Sequence, residues 1–175
     1  MLSKLYKVTE EQLAEIRRLV KNSLDAMNPS LRKQEDLYDA VNLFFPIKEN
    51  NANIELSDYM VNLTGHNLKD ITSMHYVSYE EGQFLRAHKD EGYFRPGRTI
   101  NAANIPGSKT WIFLLQAADK GGRLLVDHKD SMLEKPGEYL YFDGYTDEHE
   151  VTVVEEGYRE TLVMWYKPKI LKSLL

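Results

Sequence analysis

Three residues that are typical metal ligands stand out in this sequence: His88 and Asp90, which are close together, and His149 farther along the chain. Two imidazoles and one carboxylate can bind a divalent metal on one face and leave its opposite face open to small molecules. Arg159 follows His149 by ten positions and carries a permanent charge on a planar fork that suits a carboxylate. The four residues together predict a metal centre beside a site for a carboxylate-bearing molecule.

The composition limits what kind of protein this can be. The 175 residues include no cysteine, so disulfides, thiolate catalysis and Cys-ligated metals are excluded, and a metal must be bound through nitrogen and oxygen. The length and the 42% hydrophobic content predict one globular domain over residues 1–175. The net charge of −5 disfavours nucleic acid and anionic membranes as partners. The lack of a signal-peptide pattern or a long apolar run indicates a cytoplasmic protein.

The elements that must position these ligands fall into two groups along the chain. Thr9 and Gln12 form a capping-box pattern, and apolar residues then recur at helical spacing up to Pro29. A second helix is predicted over residues 31–45, a polar loop over 48–53, and a short helix from Ser57 to about Gly65. From residue 71 onward, short β-branched or aromatic segments alternate with glycine and proline and predict strands. These strands are Ser73–Tyr79, Thr110–Ala117, Arg123–Val126, Glu138–Phe142, His149–Val154 and Glu160–Tyr166.

Helices followed by a run of strands predict an α+β protein, with a barrel or sandwich of strands backed by N-terminal helices. Residues 1–70 would be the helical support and residues 71–167 the core that carries the site. The irregular stretch 91–109 has the length of a lid or binding loop. Its residues Tyr93, Phe94, Arg95 and Arg98 can bind an apolar side chain and a nearby carboxylate, although such loops are more often simply solvated.

A second His-x-Asp triplet, His128 to Asp130, competes with the first. It lies between predicted strands beside Asp127 and Ser131, where polar residues usually form a turn. His128 also precedes His149 by only 21 positions, whereas His88 precedes it by 61, which leaves room for several strands. In an extended segment His88 and Asp90 share a face. We therefore expect His88, rather than His128, to bind the metal.

The segment around His88 also resembles a known family. Tyr79, Gly82, His88 and Asp90 match the Tyr-x-x-Gly-x-x-x-x-x-His-x-Asp pattern of the prolyl 4-hydroxylase-like branch of the Fe(II)/2-oxoglutarate-dependent dioxygenases. The resemblance covers residues 72–166. It implies a double-stranded β-helix, or jelly-roll, fold in residues 71–167. It continues through Pro136-Gly137, Phe142, His149-x-Val151, Val153-Val154, Gly157, Arg159 and Trp165.

The resemblance also implies a reaction. Members of the family use Fe(II), the cosubstrate 2-oxoglutarate and O₂, with ascorbate as a stimulant, and they release succinate and CO₂ as a substrate C–H bond is hydroxylated. His88, Asp90 and His149 would then be the metal ligands and catalytic residues. The substrate implied for this branch is an amino acid, free or within a peptide or protein, and a prolyl residue is the first expectation.

The last predicted strand carries the expected cosubstrate site. Arg159, Thr161 and Trp165 alternate on one face, and apolar residues occupy both faces, so the strand is expected to be covered on both sides. A buried arginine needs an anion, which could be one of the 27 acidic residues or a ligand. By resemblance, Arg159 binds the distal carboxylate of 2-oxoglutarate. Thr161 can add a hydroxyl hydrogen bond, and Tyr79 matches a family tyrosine that binds the same cosubstrate, although tyrosine is also common in strand cores.

Other functions stay open at this stage. Tyr93, Arg95, Arg98 and Trp165 are the expected substrate contacts. Trp165 stands where nucleic-acid-repair dioxygenases usually carry a second arginine, so a nucleic-acid substrate is disfavoured, while a small metabolite is not. A non-catalytic metal-binding jelly-roll module is the main alternative, against which the complete ligand set argues. No Gly-x-Ser-x-Gly, Walker or His-Glu-x-x-His pattern supports a hydrolase, and no pattern indicates the oligomeric state.

Overall fold

The computed structural model describes residues 1–27, 40–90 and 107–167. Within these ranges the chain forms two α-helices, one short 3₁₀ helix at Leu68–Asp70 and twelve strands. Neither α-helix in these ranges is long and apolar enough to cross a membrane. In chain order the elements are β1 Tyr6–Lys7, α1 Glu10–Ala26, β2 Val41–Phe44, α2 Asn51–Leu63, β3 Ile71–Tyr79, β4 Leu85–His88, β5 Lys109–Gln116, β6 Lys120–Gly121, β7 Leu124–Val126, β8 Lys129–Asp130, β9 Glu138–Phe142, β10 His149–Val151, β11 Val154–Glu156 and β12 Arg159–Tyr166.

The described strands pair antiparallel and form two main sheets and a ribbon. The larger sheet has the order β1-β9-β5-β12-β3-β2, the smaller has the order β4-β10-β7-β8, and β11 pairs with β6. The two main sheets pack together through one buried apolar cluster that includes Val77, Ile112, Leu124, Phe142 and Val163. The α+β class predicted from the sequence is confirmed.

The opposite face of the larger sheet carries the two helices. Ile16 and Leu19 of α1 and Met60 of α2 belong to a second buried cluster with Phe113 and Met164 of the sheet. We call the face toward the smaller sheet the inner face, and the face toward the helices the outer face. Because side chains alternate along a strand, each central strand contributes to both clusters.

The start of α1 is as predicted. The Thr9 hydroxyl accepts a hydrogen bond from the Gln12 backbone N–H at 3.1 Å, and the Gln12 side chain accepts one from the Thr9 N–H at 2.9 Å. This reciprocal pair satisfies two backbone donors that the first turn of a helix leaves open. The local signal was sufficient here because both partners lie within one turn.

The prediction of a helix over residues 31–45 is wrong for its last part, because residues 41–44 form strand β2, while residues 28–39 lie outside the described residues. This strand pairs with β3, where Asn42 lies opposite Val77. The Asn42 side chain is buried and contacts the His75 ring, with 3.1 Å between Asn42 Oδ1 and His75 Nδ1. Pairing with β3 and this buried contact outweigh the local helical pattern.

The polar stretch at 48–53 is also not all loop. Helix α2 begins at Asn51, six positions before the predicted start at Ser57. Asn50 caps it by accepting a hydrogen bond from the Asn53 N–H at 2.9 Å, and asparagine is a favoured residue at this position. The Asn53 amide in turn donates to the Pro46 carbonyl at 3.1 Å. The asparagines that indicated a loop are therefore the cap and first turn of the helix.

Two details of the smaller sheet matter for the site. The predicted strand His149–Val154 is divided, because β10 ends at Val151 and β11 begins at Val154. Strand β4, at Leu85–His88, was not among the predicted strands, and it pairs with β10 so that His88 lies opposite His149. This long-range pairing brings together two imidazoles from distant parts of the sequence.

Candidate metal centre

His88, Asp90 and His149 offer ligand atoms that all lie within 4.8 Å of one another. The β4–β10 ladder supplies the two imidazoles, and Asp90 follows the end of β4 by two residues. One carboxylate oxygen, Asp90 Oδ1, lies 3.2 Å from His88 Nε2 and 3.5 Å from His149 Nε2. Two imidazole nitrogens and one carboxylate oxygen thus converge on one point, as a facial set of metal ligands requires.

The backbone fixes the tautomer of both imidazoles. His88 Nδ1 lies 2.7 Å from the Arg86 carbonyl and His149 Nδ1 lies 2.9 Å from the Asp147 carbonyl. A carbonyl oxygen can only accept, so each Nδ1 must carry the hydrogen and donate it. Both rings therefore turn Nε2 toward the shared space, which is the arrangement that orients histidines toward a metal.

The motif glycine that precedes these ligands has a backbone role. Gly82 lies in the turn between β3 and β4 with φ of +87°, a conformation that residues with a side chain rarely adopt. A Cβ there would meet no atom within 4 Å, so the backbone conformation, and not space, requires glycine. The Gly82 N–H also donates to the Val154 carbonyl at 2.8 Å, which ties the turn to β11.

Asp90 is buried, and its backbone is fixed by its N–H, which donates to the Gly144 carbonyl at 2.8 Å. Burial tends to raise the pKa of the Asp90 carboxyl, but hydrogen bonds from His149 and His88 outweigh it and hold the pKa below its ordinary value. Burial tends to lower the pKa of His149, but its hydrogen bond to Asp90 outweighs that effect and holds the pKa above its ordinary value of 6.5. Without a metal, Asp90 and His149 therefore form a charged pair.

The competing triplet lies elsewhere and has surface partners. The His128 side chain is 73% exposed, and its Nε2 contacts Glu148 Oε1 at 3.0 Å. Asp130 accepts hydrogen bonds from Arg123 at 3.0 Å. Among the described residues, the set of three possible ligands within this distance is His88, Asp90 and His149, and it includes neither His128 nor Asp130.

Arg159 and Tyr79 lie side by side, deep in the protein. Arg159 begins β12 opposite Tyr79 of β3, and each side chain is only 2% exposed. The guanidinium carbon lies 5.6 Å from the centre of the phenol ring, within the range of a cation–π contact. Burial raises the pKa of the Tyr79 phenol, against a smaller lowering effect of Arg159, so the phenol keeps its proton. The pair presents a fixed positive charge and a neutral hydroxyl donor in a water-poor environment.

The other predicted contacts on β12 differ in their surroundings. Thr161 is buried, and its hydroxyl donates to the Val77 carbonyl at 3.3 Å, so a ligand could use only its acceptor capacity. The Trp165 and His75 rings pack at an angle of 72° with 4.7 Å between their centres, and the Trp165 Nε1–H is buried with no hydrogen-bond partner in the described part of the chain. The predicted substrate residues Tyr93, Arg95 and Arg98 lie outside the described residues, as does the predicted lid at 91–109 up to residue 106.

Two residues beside the centre were not found from the sequence. Thr110 and Gly144 carry no motif, and they come close to Asp90 only through strand pairing and a turn. Thr110 lies opposite Trp165 in the β5–β12 ladder. The sequence gives one weak signal for such residues, namely a polar side chain at an inward position of an otherwise apolar strand.

Comparison with known proteins identifies a family and a fold. The family model of the 2OG-Fe(II) oxygenase superfamily matches residues 74–167, a range that includes the three ligands and Arg159. No curated protein sequence matches the chain.

Several solved structures are similar across nearly the whole chain. A prolyl-4-hydroxylase of Pseudomonas putida has a TM-score of 0.62 at 17% identity, over 94% of this chain and 91% of that protein. A Trichoplax adhaerens prolyl hydroxylase, solved with a hypoxia inducible factor peptide fragment, has a TM-score of 0.61 at 16% identity, over 98% of this chain and 86% of that protein. The non-heme α-ketoglutarate-dependent epimerase SnoN of nogalamycin biosynthesis has a TM-score of 0.61 at 9% identity, over 92% of this chain and 74% of that protein. At these identities the likeness is one of fold, and it confirms the predicted jelly roll.

Replacing one imidazole should distinguish the two His-x-Asp triplets. His149→Ala removes a nitrogen ligand and should abolish tight Mn(II) binding, measured by titration calorimetry. His128→Ala is the matched control, because it removes an exposed imidazole of the competing triplet, and binding should be unchanged. The opposite result, with loss in His128→Ala and retention in His149→Ala, would show that the wrong triplet was chosen.

The protonation of His149 predicts the pH dependence of metal affinity. Its raised pKa means that a proton competes with the metal for Nε2, so Mn(II) affinity should increase as the pH rises from about 6.5 through the raised pKa, and then level off. The stability of the metal-free protein should instead fall over the same range, because the contribution of the charged His149–Asp90 pair is lost as the pH rises through that pKa. Calorimetry in two buffers of different ionisation enthalpy measures the proton released; no release at pH 6.5 would contradict this account.

Proposed function

Because the chain belongs to the 2OG-Fe(II) oxygenase superfamily, we propose that it hydroxylates an aliphatic C–H bond of an amino acid, free or within a peptide, with a prolyl residue as the first candidate. The family match confirms the resemblance seen in the sequence, and the enzyme is a 2-oxoglutarate-dependent dioxygenase that uses Fe(II), 2-oxoglutarate and O₂. The observation that carries the proposal is the convergence of His88, Asp90 and His149. Residues 71–167 contain these side chains and are the proposed catalytic core of a single domain.

The donor set fits Fe(II). In the proposal, His88 and His149 each offer an Nε2 lone pair, since Nδ1 of each ring donates to a backbone carbonyl, and Asp90 offers one charged oxygen. Three protein ligands on one face leave the other face for the cosubstrate and O₂. The bound iron supplies the redox chemistry that couples cleavage of 2-oxoglutarate to oxidation of the substrate. The chain itself orients the ligands and excludes water from the buried carboxylate.

Arg159 is the proposed partner of the distal carboxylate of 2-oxoglutarate. The residue is 2% exposed, and a buried fork of N–H donors binds a carboxylate strongly because water does not compete. Tyr79, which keeps its phenolic proton, can donate one further hydrogen bond to the same carboxylate. Thr161 lies on the same strand face. Because its hydroxyl already donates to the Val77 carbonyl, it can accept a hydrogen bond from a ligand and pack against it, but it cannot donate one.

The substrate proposal has separate support. The pattern from Tyr79 to Asp90 and the position of Trp165 six residues after Arg159 resemble prolyl 4-hydroxylases, and two of the structurally similar proteins are prolyl hydroxylases. The likeness to an epimerase shows that this fold also serves other reactions. Trp165 is the proposed substrate contact in the described residues, because its buried indole N–H can donate to a carbonyl of an amino acid or peptide.

Removal of the Arg159 charge tests the cosubstrate site. Arg159→Leu should weaken 2-oxoglutarate binding by about 2–5 kcal/mol, as expected for loss of a buried charged contact, measured by calorimetry with Mn(II) in place of iron. Arg18→Leu is the control, because Arg18 is an exposed arginine of α1 paired with Glu15, and the affinity of this variant for 2-oxoglutarate should be unchanged. An equal affinity of Arg159→Leu and the wild type for 2-oxoglutarate would exclude Arg159 as the partner of the distal carboxylate.

The reaction itself is tested by turnover of a substrate panel. With Fe(II), 2-oxoglutarate and ascorbate, we expect succinate release and a mass gain of one oxygen atom on prolyl peptides or free amino acids, detected by mass spectrometry. His149→Ala should form neither product. Succinate formed only with a nucleotide or a non-amino-acid metabolite would refute the substrate and leave the metal and cosubstrate sites intact.

A further inference from the structure

The two oxygens of the Asp90 carboxylate have different surroundings. Oδ1 faces both imidazoles, at 3.2 and 3.5 Å. Oδ2 is buried and has no hydrogen-bond partner among the described residues. A carboxylate is an acceptor only, and an acceptor buried without a donor is costly. The geometry therefore leaves one oxygen of a metal ligand in need of a donor.

A second buried polar atom without a partner lies on the opposite sheet. Thr110 belongs to the inner face of β5, between Phe142 of β9 and Trp165 of β12. The residue is 2% exposed, and its Oγ1 has no hydrogen-bond partner within the described part of the chain. A hydroxyl can donate one hydrogen, which is what Asp90 Oδ2 lacks.

Gly144 brings these two atoms together. A Cβ built on Gly144 would lie 2.4 Å from Asp90 Oδ2 and 2.5 Å from Thr110 Oγ1. Because both oxygens approach the same point, they are at most 4.9 Å apart, the sum of those two distances. A turn of the Thr110 side chain to another staggered rotamer, or one bridging water, can join atoms at this separation. The Gly144 carbonyl also accepts a hydrogen bond from the Asp90 N–H. This bond holds the Asp90 backbone, and with it the carboxylate, beside Gly144 and Thr110.

We propose that Thr110 is a positioning residue for Asp90, whose hydroxyl donates to Oδ2 and so holds Oδ1 toward the metal. The inference rests on the proposed function, because it assumes that Asp90 is a metal ligand. Because Nδ1 of each imidazole donates to a backbone carbonyl, a metal held by the two Nε2 atoms and Oδ1 would leave Oδ2 as the oxygen through which a protein donor can orient the carboxylate. Partners of metal ligands in this role typically contribute a factor of about 10–100 to metal affinity.

This role predicts two effects of opposite sign in a single variant. Thr110→Val keeps the branched shape and removes the hydroxyl. In the metal-free protein it removes an unsatisfied buried polar group, so the melting temperature should stay equal or rise. Mn(II) affinity should nevertheless fall by about tenfold or more. A residue that served only packing would leave the Mn(II) affinity of the folded protein unchanged, because valine fills the same space as threonine.

The experiment is Mn(II) titration calorimetry and thermal melting of the full chain. Thr110→Ser should restore most of the affinity, because it returns the hydroxyl. Ser57→Ala is the matched control, since Ser57 Oγ is also buried and without a partner in the described residues, but lies in α2 behind the larger sheet; its affinity should equal that of the wild type. Gly144→Ala, which places a methyl group between the two oxygens, should weaken binding as Thr110→Val does.

The outcomes separate this inference from the proposed function. An Mn(II) affinity of Thr110→Val within twofold of the wild type would overturn the positioning role while the metal site stands. If Thr110→Val does not fold, Thr110→Ser and Thr110→Ala decide, since these two variants differ by the hydroxyl alone, and equal Mn(II) affinities of the two would overturn the positioning role. Retention of Mn(II) binding in His149→Ala would instead show that the metal binds elsewhere, and the proposed function itself would fail.

Discussion

One buried carboxylate sets the conditions for the rest of this structure. A charged group taken out of water is costly unless opposite charges or donors surround it. Asp90 meets this condition by sharing Oδ1 between two imidazoles that come from strands β4 and β10. The pairing of β4 with β10 therefore depends on side-chain electrostatics as well as on backbone hydrogen bonds. A ladder displaced by one residue would leave the carboxylate without its partners.

The central strand β12 joins the site to the support behind it. Leu162 and Met164 face the helices on the outer side, while Arg159 and Val163 face the smaller sheet on the inner side. Because alternate side chains serve different layers, the packing of α1 and α2 fixes the register of β12, and the register places the buried arginine. Helices that carry none of the proposed site residues thus still contribute to its geometry.

How far the sequence predicted this structure depends on the distance between interacting residues. The Thr9 cap lies within one helical turn, and His88 and Asp90 share one segment, so local patterns were sufficient to find them. Strand β2 was predicted as helix because its partner, β3, lies more than 25 residues away and contributes the contact between Asn42 and His75. The proximity of Thr110 to Asp90 could not be predicted, since it depends on how two sheets and one turn meet in space. The family pattern extended the prediction beyond local signals, because it carries long-range information in the types and spacing of a few residues.

The position of His88 opposite His149 has a consequence for the lifetime of the protein. In the described sheet order β4 is a terminal strand, and a strand held by one neighbour is among the first parts of a fold to open. A metal bound to both imidazoles would fasten this strand to the next one, and ligands that bind only the folded form shift the equilibrium away from opening. Metal binding would then slow the opening of the protein at the same strand that carries its first ligand.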